Sequence, residues 1–375
     1  MTPARSTPDR PTPGRPTPGR PAPGRPTPTR IGGRQAIAQR ARVGALAIVA
    51  LLVAACGGSL SSTVLQTIGG EITPLRVGLG YIPSVQFAPF YLADQAGYYR
   101  DAGLEVSFEN GNDPDIIRLA ADGTYDIGIA DGTSLIPAVS QGIPVRYLAT
   151  VYADFPSVVF AKDSAGIAKA GDLKGRKLGI PGKYGSSWIM LQALLGSAGL
   201  KPADLHIVEF PDYGQRVAVE QGVVDAATGF VNNEPVQLTL AGSRPVVLTV
   251  DDVVPLPGPG LVAGQSTIDG PKRAALKGFI AATLRAMREI AADPAKGLDA
   301  AIVAVPELAS DRDGQLAVLK ATIDAWQSPY TAANGWGAID RAAWARSIEF
   351  MSGLPDSPVA QPVTAEDMTN EELLP

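Results

Sequence analysis

From Leu75 onward, short apolar runs alternate with amphipathic stretches, and this alternation restricts the fold more than any other feature of the chain. Ten runs have strand length: Leu75–Leu79, Leu104–Phe108, Ile127–Ala130, Val145–Val151, Val158–Ala161, Lys177–Ile180, His206–Glu209, Ala226–Phe230, Val246–Val250 and Leu261–Ala263. Between them lie helical stretches such as Ala88–Ala96, Pro114–Ala121, Ser134–Gln141, Ser187–Ala198, Tyr213–Gln221 and Glu234–Ala241. Asp113-Pro114 reads as a cap and first turn, and Gly199 as a helix stop. Strand–helix alternation predicts an α/β fold, with parallel sheets covered by helices on both faces.

Two segments share one plan. Thr124–Asp131 and Gly222–Gly229 each follow a helix, carry an Asp at the strand start and run into a glycine. Their repetition predicts two similar lobes rather than one long sheet. The last hundred residues are helical in pattern (Pro271–Asp293, Pro294–Val305, Asp311–Gln327, Arg341–Met351), so the chain returns to the first lobe. Lobe 1 is expected over 74–162 plus 251–370 and lobe 2 over 163–250, with the cleft between them as the ligand site.

The N-terminus reads as an address. Residues 11–30 repeat PTPGR, PTPGR, PAPGR, PTPTR, a composition that cannot bury a core. The apolar run Val43–Ala55 is too short to span a bilayer but suits the hydrophobic segment of an export signal. It ends Leu52-Val53-Ala54-Ala55-Cys56-Gly57-Gly58, which resembles a bacterial lipoprotein box. A signal segment is expected over 1–55, with Cys56 lipidated and 56–73 a flexible tether. That places the protein on the extracytoplasmic face of the cell membrane, held by its lipid.

Charge and counts exclude whole classes. Residues 1–55 hold nine Arg and one acid; the rest hold 23 basic and 36 acidic residues, a net charge of −13. An acidic body argues against nucleic-acid binding. One Cys and one His in 375 residues exclude a disulfide framework and a Cys/His zinc site. His206 is expected to be structural on a buried strand, and Trp326, Trp336 and Trp344 to pack the helical tail. Glu109–Asp113 lacks the distal Glu of a calcium loop, and Gly78-Leu79-Gly80 lacks the third glycine of a dinucleotide loop. No catalytic residue, metal site or cofactor is expected.

The loops after the strands carry the candidate site. They supply Tyr81, Gln86, Phe87, Asp131, Tyr152, Asp154, Tyr184, Gly185, Ser186, Trp188, Tyr213, Asn233 and Glu234. Tyrosines with a few amides and carboxylates make a stacking slot with orienting hydrogen bonds. Lys183 is the one basic residue in these loops, so a ligand with N–H donors fits better than an oxyanion. An anion would have to rest on the helix start at Gly185–Ser187. Asp131 and Ser186 could equally serve as helix caps, and Trp188 could belong to a core.

Arg76-Val-Gly-Leu-Gly-Tyr-Ile-Pro-Ser-Val-Gln-Phe-Ala-Pro-Phe-Tyr-Leu-Ala93, Ala96-Gly-Tyr-Tyr99, Asp172-Leu-Lys-Gly-Arg-Lys-Leu-Gly-Ile-Pro-Gly182 and Gly222-Val-Val-Asp-Ala-Ala-Thr-Gly-Phe230 together resemble the NMT1/THI5-like solute-binding proteins over roughly 74–300. The resemblance implies a two-lobe, type II periplasmic-binding-protein-like fold and a monomer that delivers a small molecule to an ABC permease and its ATPase. The opening block is especially similar to riboflavin-type binders, and the resemblance carries ligand contact to Gln86, Phe87, Tyr184 and Glu234. It implies riboflavin or a thiamine pyrimidine precursor as ligand, with sulfonate- or nitrate-type binders of the same family as the alternative. Relatives that are pyrimidine synthases need histidine and a Cys-rich patch; His206 and Cys56 do not provide them.

Overall fold

The computed structural model describes residues 72–250, 256–354 and 357–375. The expected signal segment, Cys56 and the tether up to residue 71 lie outside the described residues.

Among the described residues ten strands form two five-stranded sheets. In chain order they are β1 (Thr73–Gly80), β2 (Leu104–Gly111), β3 (Ile127–Asp131), β4 (Val145–Thr150), β5 (Ser157–Lys162), β6 (Lys177–Ile180), β7 (His206–Glu209), β8 (Ala226–Phe230), β9 (Pro245–Leu248) and β10 (Pro259–Gly264). The first sheet has the order β2-β1-β3-β10-β4 and the second β7-β6-β8-β5-β9. The two sheets therefore repeat one plan, as the paired Thr124–Asp131 and Gly222–Gly229 segments predict.

Both sheets are mixed, where the alternation predicted parallel ones. β1 pairs parallel with β2 and β3, and β6 parallel with β7 and β8. β10 runs antiparallel to β3 and β4, and β5 antiparallel to β8 and β9. The reason is the chain path: β5 is the first strand after the chain leaves the first sheet, and β10 the first after it leaves the second. Each runs against the two strands that flank it in its new sheet. The expected lobe boundary after residue 162 is displaced for the same reason, because β5 belongs to the second sheet.

Hydrophobic periodicity explains the packing. The helix Arg273–Ala292 buries Leu276, Phe279, Ile280, Leu284 and Met287 in the core under β1, and Tyr99 stacks on Phe279 at 4.8 Å with the rings 3° from parallel. The helix Gly185–Ser197 buries Met190, Leu191, Leu194 and Leu195 with Leu178 of β6 and Ala226 of β8. Trp344 meets Tyr147 of β4 edge-on at 4.9 Å, and Trp326 is buried, as expected of the helical tail. A Cβ on Gly260 would come within 2.1 Å of the Tyr147 ring, so β10 can lie against β4 only with glycine there. His206 is exposed on the edge strand β7 rather than buried, since β7 has a neighbour on one side only.

Candidate ligand-binding site

A cleft opens where the carboxyl ends of the parallel strands of both sheets converge, the position such sheets reserve for ligands. It encloses about 880 Å³ of space free of protein atoms, its opening to solvent included. The first lobe contributes Gly80 and Tyr81 after β1, Asn112 and Asp113 after β2, Asp131 at the end of β3 and Tyr152 after β4. The second contributes Tyr184, Gly185, Ser186 and Ser187 after β6, Tyr213 and Gln215 after β7, and Phe230, Asn233 and Glu234 after β8. Gln86 and Phe87 also line it. Eleven of the thirteen residues singled out in the sequence thus come together.

Asp154 and Trp188 do not. Asp154 lies in a separate depression with Tyr330, Asp340 and Arg346, because the chain has already turned toward β5 there. Trp188 packs against the core of the second lobe; two residues along the helix from Ser186, it has rotated away from the cleft.

Two cleft tyrosines hold a backbone conformation that bulky residues rarely adopt. Tyr81 has φ +65° and Tyr213 φ +59°. Such positions cost about 1–3 kcal/mol each and cluster where function needs a side chain aimed. The two rings, one from each lobe, meet edge to face at 4.7 Å. The Asn233 Nδ2 amide donates to the Tyr81 hydroxyl at 3.4 Å, again from lobe to lobe. Burial pushes the Tyr81 and Tyr213 hydroxyls well above the usual phenol range, so both stay protonated. Gly182 makes room for Tyr184: a Cβ there would sit 2.3 Å from its ring.

Below this aromatic rim the polar groups are linked. Asn232 Nδ2 donates to Gln86 Oε1 at 2.9 Å and lies 2.8 Å from Thr322 Oγ1, tying the loop after β8 to the first lobe. Glu234 is buried; its Oε2 accepts the Phe230 N–H at 2.8 Å and its Oε1 lies 3.3 Å from Asn233 Nδ2. Burial raises its carboxyl above the usual range, and those hydrogen bonds pull the other way.

Asp131 and Asp113 form a carboxyl pair. Asp131 precedes the helix Gly132–Ser140 but makes no side-chain cap. Its own N–H donates to Asp113 Oδ2 at 3.1 Å, which also receives the Ser134 hydroxyl at 3.3 Å. Burial, and then the neighbouring Asp113 charge, push the Asp131 carboxyl well above its ordinary value. Among the described residues no Lys or Arg lines the cleft to offset either charge.

The sequence reading passed over Asp113, taken there for a cap, and Gln215. Asp113 is instead the first helical residue, capped by Asn112, whose Oδ1 accepts the Asp115 N–H at 3.2 Å. Its place directly after β2 was the available signal; its partner lies 18 residues away and is set by the sheet alone.

Two lobes built on repeated mixed sheets, with a ligand-sized cleft between them, define the periplasmic-binding-protein fold. Residues 84–297 match the family described as NMT1/THI5 like, and the chain belongs to that family. It is 33% identical over 326 residues to riboflavin-binding protein RibY of Chloroflexus aurantiacus, covering 83% of this chain and 92% of that one. It is 25% identical over 241 residues to a 4-amino-5-hydroxymethyl-2-methylpyrimidine phosphate synthase of Legionella pneumophila, covering 61% of this chain and 73% of that one. Among solved structures, the alkanesulfonate-binding protein SsuA of Xanthomonas axonopodis pv. citri, bound to MOPS, superimposes with a TM-score of 0.61 at 18% identity, over 80% of this chain and 99% of that one. That likeness is one of fold.

Proposed function

We propose that this protein is the extracytoplasmic solute-binding component of an ABC importer. It captures a flat aromatic heterocycle, riboflavin or a close relative, between its lobes and releases it unchanged to a permease. The observation that carries the reading is the cleft's chemistry: six aromatic side chains (Tyr81, Phe87, Tyr152, Tyr184, Tyr213, Phe230), three acids (Asp113, Asp131, Glu234) and no lining base among the described residues. Aromatic walls stack a flat ring, and acceptors take its N–H groups. A sulfonate or nitrate would meet carboxylates with no cation between. The 33% identity to RibY, nearly end to end, supports the same ligand class. In this reading Cys56 carries the lipid anchor, and the ligand favours closure because it touches both lobes.

A thermal-shift panel of riboflavin, aminopyrimidines, thiamine, alkanesulfonates and nitrate tests the reading. A ligand at 100 times its Kd adds about 2.7 kcal/mol of stability. Riboflavin or an aminopyrimidine is expected to raise Tm. A shift with sulfonates alone would contradict the charge argument and point to the helix start at Gly185–Ser187.

A further inference from the structure

Buried polar atoms without partners are rare in folded proteins, and each asks for an explanation. Among the described residues five such side-chain atoms stand out: Thr133 Oγ1, Gln215 Oε1, Thr228 Oγ1, Asn232 Oδ1 and Trp326 Nε1. Of these, Gln215 alone belongs to a residue that lines the cleft. It is 3% exposed. Asn232 is accounted for at its other end by Gln86 and Thr322. The Gln215 amide has no comparable tie.

Its position is built. Gln215 is the first residue of the helix Gln215–Glu220, directly after the turn in which Tyr213 holds φ +59°. In the same turn the Gly214 N–H donates to Asp212 Oδ1 at 3.3 Å. The next residue, Arg216, is bound to Glu220 at 2.7 Å along the helix. The strained turn therefore delivers an aromatic ring and an amide to one wall of the cleft, while the adjacent Arg216, paired with Glu220, is not among the residues that line it.

We propose that Gln215 is a specificity-determining residue, whose side-chain amide pairs with a contiguous N–H and C=O edge on the ligand, as in a lactam or imide ring. A carboxamide is the side chain that offers a donor and an acceptor side by side at the spacing of such an edge. A ligand with that edge supplies the partner Oε1 lacks. One without it leaves a buried acceptor unmet, which is how polar sites reject analogues. This assignment rests on the aromatic-heterocycle reading above and refines it: the bound ring system must carry a lactam or imide face, as riboflavin does and a plain alkanesulfonate does not.

The test uses riboflavin and N3-methylriboflavin, which keeps the ring but blocks the N–H of the edge, on the full-length protein and on Gln215→Met, a substitution of similar volume. Wild type is expected to prefer riboflavin at least tenfold by calorimetry. In Gln215→Met riboflavin affinity should fall about 10- to 100-fold, and the preference should shrink to within threefold. Comparison of the two ratios removes any purely steric effect of the methyl group. Thermal unfolding of the variant checks its fold, and Gln215→Leu, made alongside, carries the same comparison if Gln215→Met does not fold. Equal wild-type affinity for both ligands, or an unchanged preference in the variant, overturns the role of Gln215 while leaving riboflavin binding intact. Absence of riboflavin binding by wild type removes the functional reading and this assignment with it.

Discussion

At the scale of single residues, the cleft depends on side chains held by partners far away in sequence. Glu234 shows how one group can serve structure and site together. Its carboxylate closes the turn after β8 through the Phe230 N–H at 2.8 Å, and a Cβ on Gly229 would collide with that carboxylate at 2.7 Å. Glu234→Ala leaves the Phe230 N–H without its acceptor. It should destabilise the chain by about 1–3 kcal/mol, read as a lower denaturation midpoint. A midpoint equal to wild type would assign that turn's stability elsewhere. Asp131 contributes to the pH dependence. Because burial and Asp113 raise its carboxyl above the unfolded value, the folded chain keeps a proton that the unfolded chain gives up. That contribution is complete below the unfolded carboxyl pKa and is lost as pH rises through the folded one. Unfolding midpoints across a pH series should therefore fall less steeply with rising pH in Asp131→Asn than in wild type; parallel curves would contradict a raised Asp131 carboxyl.

The elements were largely legible in the sequence, and the exceptions have physical causes. The ten strands of the described residues fall where short apolar runs predicted them, from Thr73–Gly80 to Pro259–Gly264. The short helices Tyr98–Asp101, Gln265–Ile268, Pro329–Asn334 and Ala365–Met368 were not legible: one turn is too little to display a period. Strand direction was not legible either, since it depends on where β5 and β10 enter their sheets. β10 illustrates what the sheet then requires. Gly260 sits under the Tyr147 ring, and Gly260→Ala forces a Cβ into it at 2.1 Å. The expected cost is about 1–3 kcal/mol by thermal or chemical unfolding. A neutral effect would mean that Tyr147 can leave its contact with Trp344 at little cost.

Across the whole molecule, the repeated sheets matter because they aim two sets of strand-end loops at each other. The lining of the cleft was readable to the extent that it follows this rule: strand ends and the loops after them supply it, and Tyr81, Asp131, Tyr184, Tyr213 and Glu234 all line it. What the sequence could not reveal is which residues meet across it. The Tyr81–Tyr213 contact spans 132 positions, and the Gln86–Asn232 hydrogen bond 146. Among the described residues no helix is long and apolar enough to cross a membrane. The aromatic cleft, with no base lining it among the described residues, is proposed to hold a flavin-type ring. Riboflavin fluorescence titrated with the full-length protein tests it most directly, because stacking on tyrosine quenches the flavin. Saturable quenching with one riboflavin per chain, undisturbed by excess alkanesulfonate, is the expected result. Unquenched fluorescence at high protein concentration, or quenching that alkanesulfonate competes away, would contradict it.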